Sequence, residues 1–100
     1  CKALVHLDLA FNWNYKRLGP EGVGMLAEVL GGCKALAHLG LMSNDISDEG
    51  VGLLTEVLSE CKALTRLDMS RNTIGAEGAG MIAAVLADCK LMARIDLNSN

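Results

Sequence analysis

Aromatic residues are almost missing from this chain: one Phe, one Trp and one Tyr occur, and all lie within residues 11–15. No apolar run approaches the ~18 residues that a membrane span requires. No charged segment followed by an apolar stretch reads as a signal peptide. Basic residues do not dominate either. Nine Lys and Arg stand against twelve Asp and Glu, a formal net charge of −3, so no global basic field gathers nucleic acid. An Asn-x-Ser/Thr glycosylation acceptor is also missing, which leans against secretion. The short or irregular cysteine spacings of zinc sites and disulfide frameworks are missing too. Cys1, Cys33, Cys61 and Cys89 stand 32, 28 and 28 residues apart.

What is present is a repeat. Apolar residues make up 51% of the chain and charged residues 21%, which excludes disorder. Aligned on the cysteines, the blocks CKALVHLDLAFN, CKALAHLGLMSN, CKALTRLDMSRN and CKLMARIDLNSN superpose. A 28-residue period marks a solenoid. Each block carries L-x-x-L-x-L-x-x-N or a close variant. Its alternating core predicts a short strand with one face buried. The closing Asn offers donors and an acceptor to the backbone of a tight turn.

The intervening blocks predict helices. Gly19, Ser47 and Gly75 are the expected N-caps, and Pro20 fits the first helical position. Glu21, Glu49 and Glu77 favour the positive end of the helix dipole. Val23, Leu26 and Leu30 recur at helical spacing, as do Val51, Leu54 and Leu58, then Ala79, Ile82 and Leu86. Paired glycines near each helix start oppose helix propensity, and their recurrence predicts that neighbouring backbones come close there. The cysteines read as small buried apolar groups at the helix-to-strand turn. GAEGAG at 75–80 is a feature of the repeat and no phosphate loop, since no Gly-Lys-Ser/Thr follows.

The strand motif together with x-E-G-x-x-x-L-x-x-V-L-x-x-C resembles the leucine-rich repeat family, in its ribonuclease-inhibitor-like form. The resemblance covers the whole chain. It implies an α/β solenoid, a right-handed horseshoe fragment with parallel strands concave and helices convex. It also implies kinship with ribonuclease inhibitors, the sensor regions of nucleotide-binding immune receptors, and activators of the Ran GTPase. Strands ~4.8 Å apart and helices ~8–10 Å apart bend such a stack by roughly 20° per repeat. The expected organisation is one array over 1–100, with repeats 1–32, 33–60, 61–88 and a partial 89–100, uncapped at both ends.

Residues between the strand leucines point outward and vary from block to block. The first outward column holds His6, His38, Arg66 and Arg94. The second holds Asp8, Gly40, Asp68 and Asp96, and Met42 and Arg71 follow in the turns. They read either as a solvated sheet face or as a partner-contact face. Between Asn12 and Leu18 the first repeat has four more residues than its counterpart. Phe11, Trp13, Tyr15 and Arg17 fall at or beside this insertion on one rim, and they are the residue types of interface hot spots. The sequence leaves open whether the rings project or pack back on the rim.

The function read from these patterns is a non-enzymatic protein–protein interaction module. Two alternatives stand beside it. One is a regulatory scaffold acting on a GTPase in trans, with Arg17 the only nominee. The other is a purely structural spacer. No cofactor or metal is expected. The expected partner is a protein, with neither nucleic acid nor membrane involved. A monomeric fragment of a longer array, with reduced cysteines in the cytoplasm, completes the expectation.

Overall fold

The computed structural model of the chain describes residues 3–9 and 18–100. Seven elements alternate: β1 (His6–Asp8), α1 (Gly19–Leu30), β2 (His38–Gly40), α2 (Ser47–Leu58), β3 (Arg66–Asp68), α3 (Ala76–Leu86) and β4 (Arg94–Asp96). A helix or helix-length segment separates successive strands, so each can return parallel to the last. The sheet order is β1-β2-β3-β4, with every pair parallel. Register follows the repeat: Leu7, Leu39, Leu67 and Ile95 lie opposite one another. The ladder extends past the three-residue strands. Ala37 N–H donates to the Val5 carbonyl at 2.8 Å, and Met69 N–H to that of Asp96 at 2.8 Å. The parallel ladder expected from the leucine motif is therefore present.

The core lies between sheet and helices. Leu36, Leu39 and Leu41 meet Val51, Leu54 and Leu58, and Leu64, Leu67 and Met69 continue the layer toward Ile82. Burial grades along the stack. Leu7 and Ile95, in the strands with a neighbour on one side only, are half-buried. Ala79 is exposed and Leu86 half-buried, so the apolar stripe read along α3 is only partly used.

The asparagines form the second continuous feature. Asn72 Oδ1 accepts the Asn44 N–H at 2.7 Å and the Ile46 N–H at 3.4 Å. Its Nδ2 donates to the carbonyls of Leu41, Met69 and Ser70 at 2.8–3.1 Å. Asn100 repeats the pattern on Asn72 and Ile74, at 2.7 and 3.0 Å. Each amide thus closes its own turn and bonds the repeat before it.

Helix starts differ from the sequence reading. Gly75 is the N-cap of α3, as expected, but α1 and α2 begin at Gly19 and Ser47 themselves, after Leu18 and Ile46. Gly19 and Ser47 are left-handed, with φ of 65° and 63°, and their N–H groups donate to Asn44 and Asn72 carbonyls at 2.8 Å. The neighbouring repeat, rather than a side chain at the cap, satisfies these ends. Asp48 extends the principle: its Oδ1 accepts the Gly75 N–H at 2.7 Å and the Gly78 N–H at 3.1 Å. It therefore caps α3 from α2.

The helix glycines are also explained differently. A Cβ at Gly78 would collide with Asp48 Oδ1 and with Ile74 Cγ2, and one at Gly50 with Ile46 Cγ2. Side chains of the cap region fill these positions. A backbone atom, Pro20 Cα at 3.5 Å, comes near only at Gly50, and Gly80 is open.

The cysteines require one correction. Cys61 and Cys89 are free and buried, and burial pushes both thiols above their usual range. They are small apolar groups with little thiolate to react. Cys33 is disulfide-bonded, against the expectation of reduced cysteines throughout. The argument from reduced thiols to a cytoplasmic location falls with it. No helix among the described residues is long and apolar enough to cross a membrane.

Candidate functional site: the outer face of the sheet

Side chains alternate across a strand, so the residues flanking each buried leucine share the sheet face turned away from the helices. Register then makes columns. His6, His38, Arg66 and Arg94 lie opposite one another across the four strands, and Asp8, Gly40, Asp68 and Asp96 form the parallel column. The sequence had foreseen both.

The histidines stack. Their ring centroids are 4.0 Å apart with planes tilted by 31°, as strand spacing of ~4.8 Å imposes on identical neighbours. The His38 pKa is lowered below its ordinary value of 6.5. Loss of hydration is the main cause, then repulsion from His6 and Arg66, with Asp8 and Asp68 pulling the other way. The lowered pKa favours the uncharged form of His38 at this end of the column.

The arginine end differs. His38, Arg66, Leu67, Asp68, Arg94 and Asp96 line a hollow of about 70 Å³. Small-molecule pockets usually hold ~300–1,000 Å³, so this hollow suits a side chain of a larger partner. The aspartates beside it are turned to local work. One carboxylate oxygen of Asp68 accepts the Ser70 N–H at 3.0 Å and the Ser70 hydroxyl at 2.7 Å. Asp96 Oδ1 accepts the Asn98 N–H at 3.0 Å. These are Asx turns closing the strand exits. Among the described residues no ion pair ties Arg66 or Arg94 to a carboxylate. Asp8 leans over its glycine neighbour: a Cβ at Gly40 would stand 2.9 Å from Asp8 Oδ1.

Two turn residues complete the surface. Met42 is exposed, immediately past β2. Arg71 is exposed and left-handed, with φ of 55°, like Ser43 and Ser99 one repeat away on either side. None of the three is glycine, and such a conformation costs a non-glycine residue roughly 1–2 kcal/mol. Bonds to the next repeat offset it: Ser43 N–H donates to Ser70 and Arg71 N–H to Asn98, each at 3.0 Å.

The structure therefore brings together His6, His38, Arg66 and Arg94, with Asp8, Asp68 and Asp96 beside them. Phe11, Trp13, Tyr15 and Arg17 lie outside the described residues. Sequence reasoning missed the division of labour between arginine and aspartate. The signal was present, because Asp68 and Asp96 each precede Ser70 or Asn98 by two residues, the spacing of an Asx turn. Among the described residues, no group of three or more His, Cys, Asp and Glu side chains is arranged to hold a metal ion.

Residues 32–54 and 60–83 match a family model described as Leucine Rich repeat. No curated protein matches the chain significantly. With the parallel sheet and alternating helices, the two matches identify the fold as an α/β leucine-rich repeat solenoid. Strand spacing below helix spacing puts the sheet on its concave side.

Proposed function

We propose that this chain is a non-enzymatic protein-binding module whose concave sheet face receives an acidic segment of a partner protein. Leucine-rich repeats generally serve as protein–protein interaction modules. The observation that carries the finer reading is the split between the columns: Asp68 and Asp96 bond their own turns, and among the described residues no carboxylate forms an ion pair with Arg66 or Arg94. A partner carboxylate can take that place through charge-assisted, bidentate hydrogen bonds.

The mechanism is preorganisation. A hydrogen-bonded sheet holds the side chains in place, so little ordering remains on association. The proposed surface runs from Arg66 and Arg94 across His38 to His6; Phe11, Trp13, Tyr15 and Arg17, proposed from the sequence as further contacts, lie outside the described residues. The helical pattern with its closing cysteine supports placing these repeats in the ribonuclease-inhibitor-like subfamily. A net charge of −3 favours a protein partner over nucleic acid. The other readings, a GTPase scaffold acting through Arg17 and a structural spacer, have no observation among the described residues in their favour.

Titration with a labelled, extended Glu-rich peptide tests the proposal. Binding should weaken at least about tenfold in Arg66→Glu/Arg94→Glu and change little in Lys34→Ala. Equal affinity of all three proteins would overturn it.

A further inference from the structure

The opposite side of the molecule carries a second surface of different chemistry. α1 and α2 pack side by side and leave a groove of about 360 Å³. Gly24, Ala27, Leu53 and Val57 form its floor. Its charged residues are all acidic: Glu28, Glu56 and Glu60. Gly24 keeps the groove open, since a Cβ there would stand 3.2 Å from Leu53 Cδ1. Leu53 itself is 41% exposed. Neither helix has a basic residue in its last turn, so the partial negative charge of both C-termini adds to that of the glutamates.

Two comparisons separate this groove from an ordinary solvated helix face. First, it lies between helices that already touch. A repeat stacked at either end meets an outer helix and leaves this slot open. Second, the groove between α2 and α3 has a similar apolar floor but one acid fewer. There Met81 is half-buried, with Sδ 3.7 Å from the Cβ position of Gly52. Ala84 stands one repeat after Glu56. The full set of three glutamates thus belongs to the α1–α2 pair and is not copied by the repeat.

We propose that the groove between α1 and α2 docks a basic amphipathic helix of a partner protein. Apolar side chains on one face of that helix would settle on Leu53 and Val57, and its Lys or Arg residues would reach Glu28, Glu56 and Glu60. An amphipathic helix in a groove gains by burying its apolar stripe. Matching charge sets its orientation and its rate of arrival. The site is independent of the concave face, which lies across the core and attracts the opposite charge.

The test is fluorescence anisotropy with an 18-residue Leu/Lys amphipathic helical peptide. The wild-type chain should bind it saturably, and Glu28→Lys/Glu56→Lys should weaken binding at least about tenfold. Glu49→Lys/Glu77→Lys makes the same change in net charge at the helix starts, outside the groove, and should stay within about twofold. Leu53→Gln should also weaken binding. Thermal melts establish that each variant is folded, and Glu56→Gln replaces any that is not. Arg66→Glu/Arg94→Glu should leave this peptide unaffected, so failure here is distinguishable from failure of the concave-face reading. The proposal is overturned if binding does not saturate, if both charge-reversed pairs weaken it equally, or if a sequence-scrambled Leu/Lys peptide binds as well.

Discussion

Leu9 and Leu41 hold the same place in the same motif, yet Leu41 is fully buried while Leu9 is 37% exposed. Local sequence cannot account for this. Leu41 has a strand on either side, with β1 and β3 flanking β2, whereas Leu9 follows β1, which among the described residues pairs with β2 alone. In a one-dimensional stack the energy of a residue depends on how many neighbours its repeat has. The same holds for polar groups. Asn72 is completely buried between two other repeats, and Asn100, bonding in the same way, is exposed.

This contrast can be sharpened by substitution, and the largest effect is expected at the inner asparagine. Asn72→Ala leaves the buried N–H groups of Asn44 and Ile46 without their acceptor, while the Leu41 carbonyl keeps the Asn44 amide as a donor. At ~1–3 kcal/mol for each unsatisfied group, a loss of about 4 kcal/mol is expected. Asn100→Ala should cost about 1 kcal/mol, because water reaches the groups it frees. Urea denaturation measures both, and equal losses would break the comparison.

Next come the leucines. Leu41→Ala should cost about 3 kcal/mol through lost burial and a cavity, and Leu9→Ala less than about 1 kcal/mol. Asp48→Ala removes the cap supplied to α3 by α2 and should cost about 1 kcal/mol. Hydrogen exchange should show its effect at the start of α3, at the Gly75 and Gly78 amides. If protection there is unchanged, the cap contributes nothing.

The smallest effect is a pH dependence at the histidine stack. The unfolded chain takes up a proton near pH 6.5, while folded His38, with its lowered pKa, resists protonation. Unfolded molecules therefore bind more protons below pH 6.5, and stability falls as pH drops through that window. His38→Gln should remove this slope, and NMR titration of wild-type His38 should give a midpoint below that of an unfolded reference peptide.

Much of the fold was legible from spacing alone. A 28-residue period, leucines at alternate positions and a closing Asn point to parallel strands in register, because that arrangement buries the inner strand leucines and satisfies their turns. The caps were not legible. Gly19 and Ser47 owe their positions to carbonyls one repeat away, and Asp48 serves a helix 27 residues on. Rules that read one segment at a time look for a cap within that segment. At the candidate site the columns were legible, because register copies the repeat. The bonding of Asp68 and Asp96 to their own turns was visible as a spacing, but the column pattern by itself does not draw on it. The pairing of Cys33 had no counterpart in the even cysteine spacing.

The reach of Asp48 across two units has a consequence for how such an array can be rearranged. Blocks that look interchangeable are not, because the third takes its helix start from an acid that only the second possesses at that place; the first has Pro20 nearby and the third has Ala76. Duplicating or transposing 28-residue blocks would keep every leucine in register and still separate a donor from its acceptor. The order of the units is therefore written into the chain, and shuffled versions should differ in stability despite identical composition.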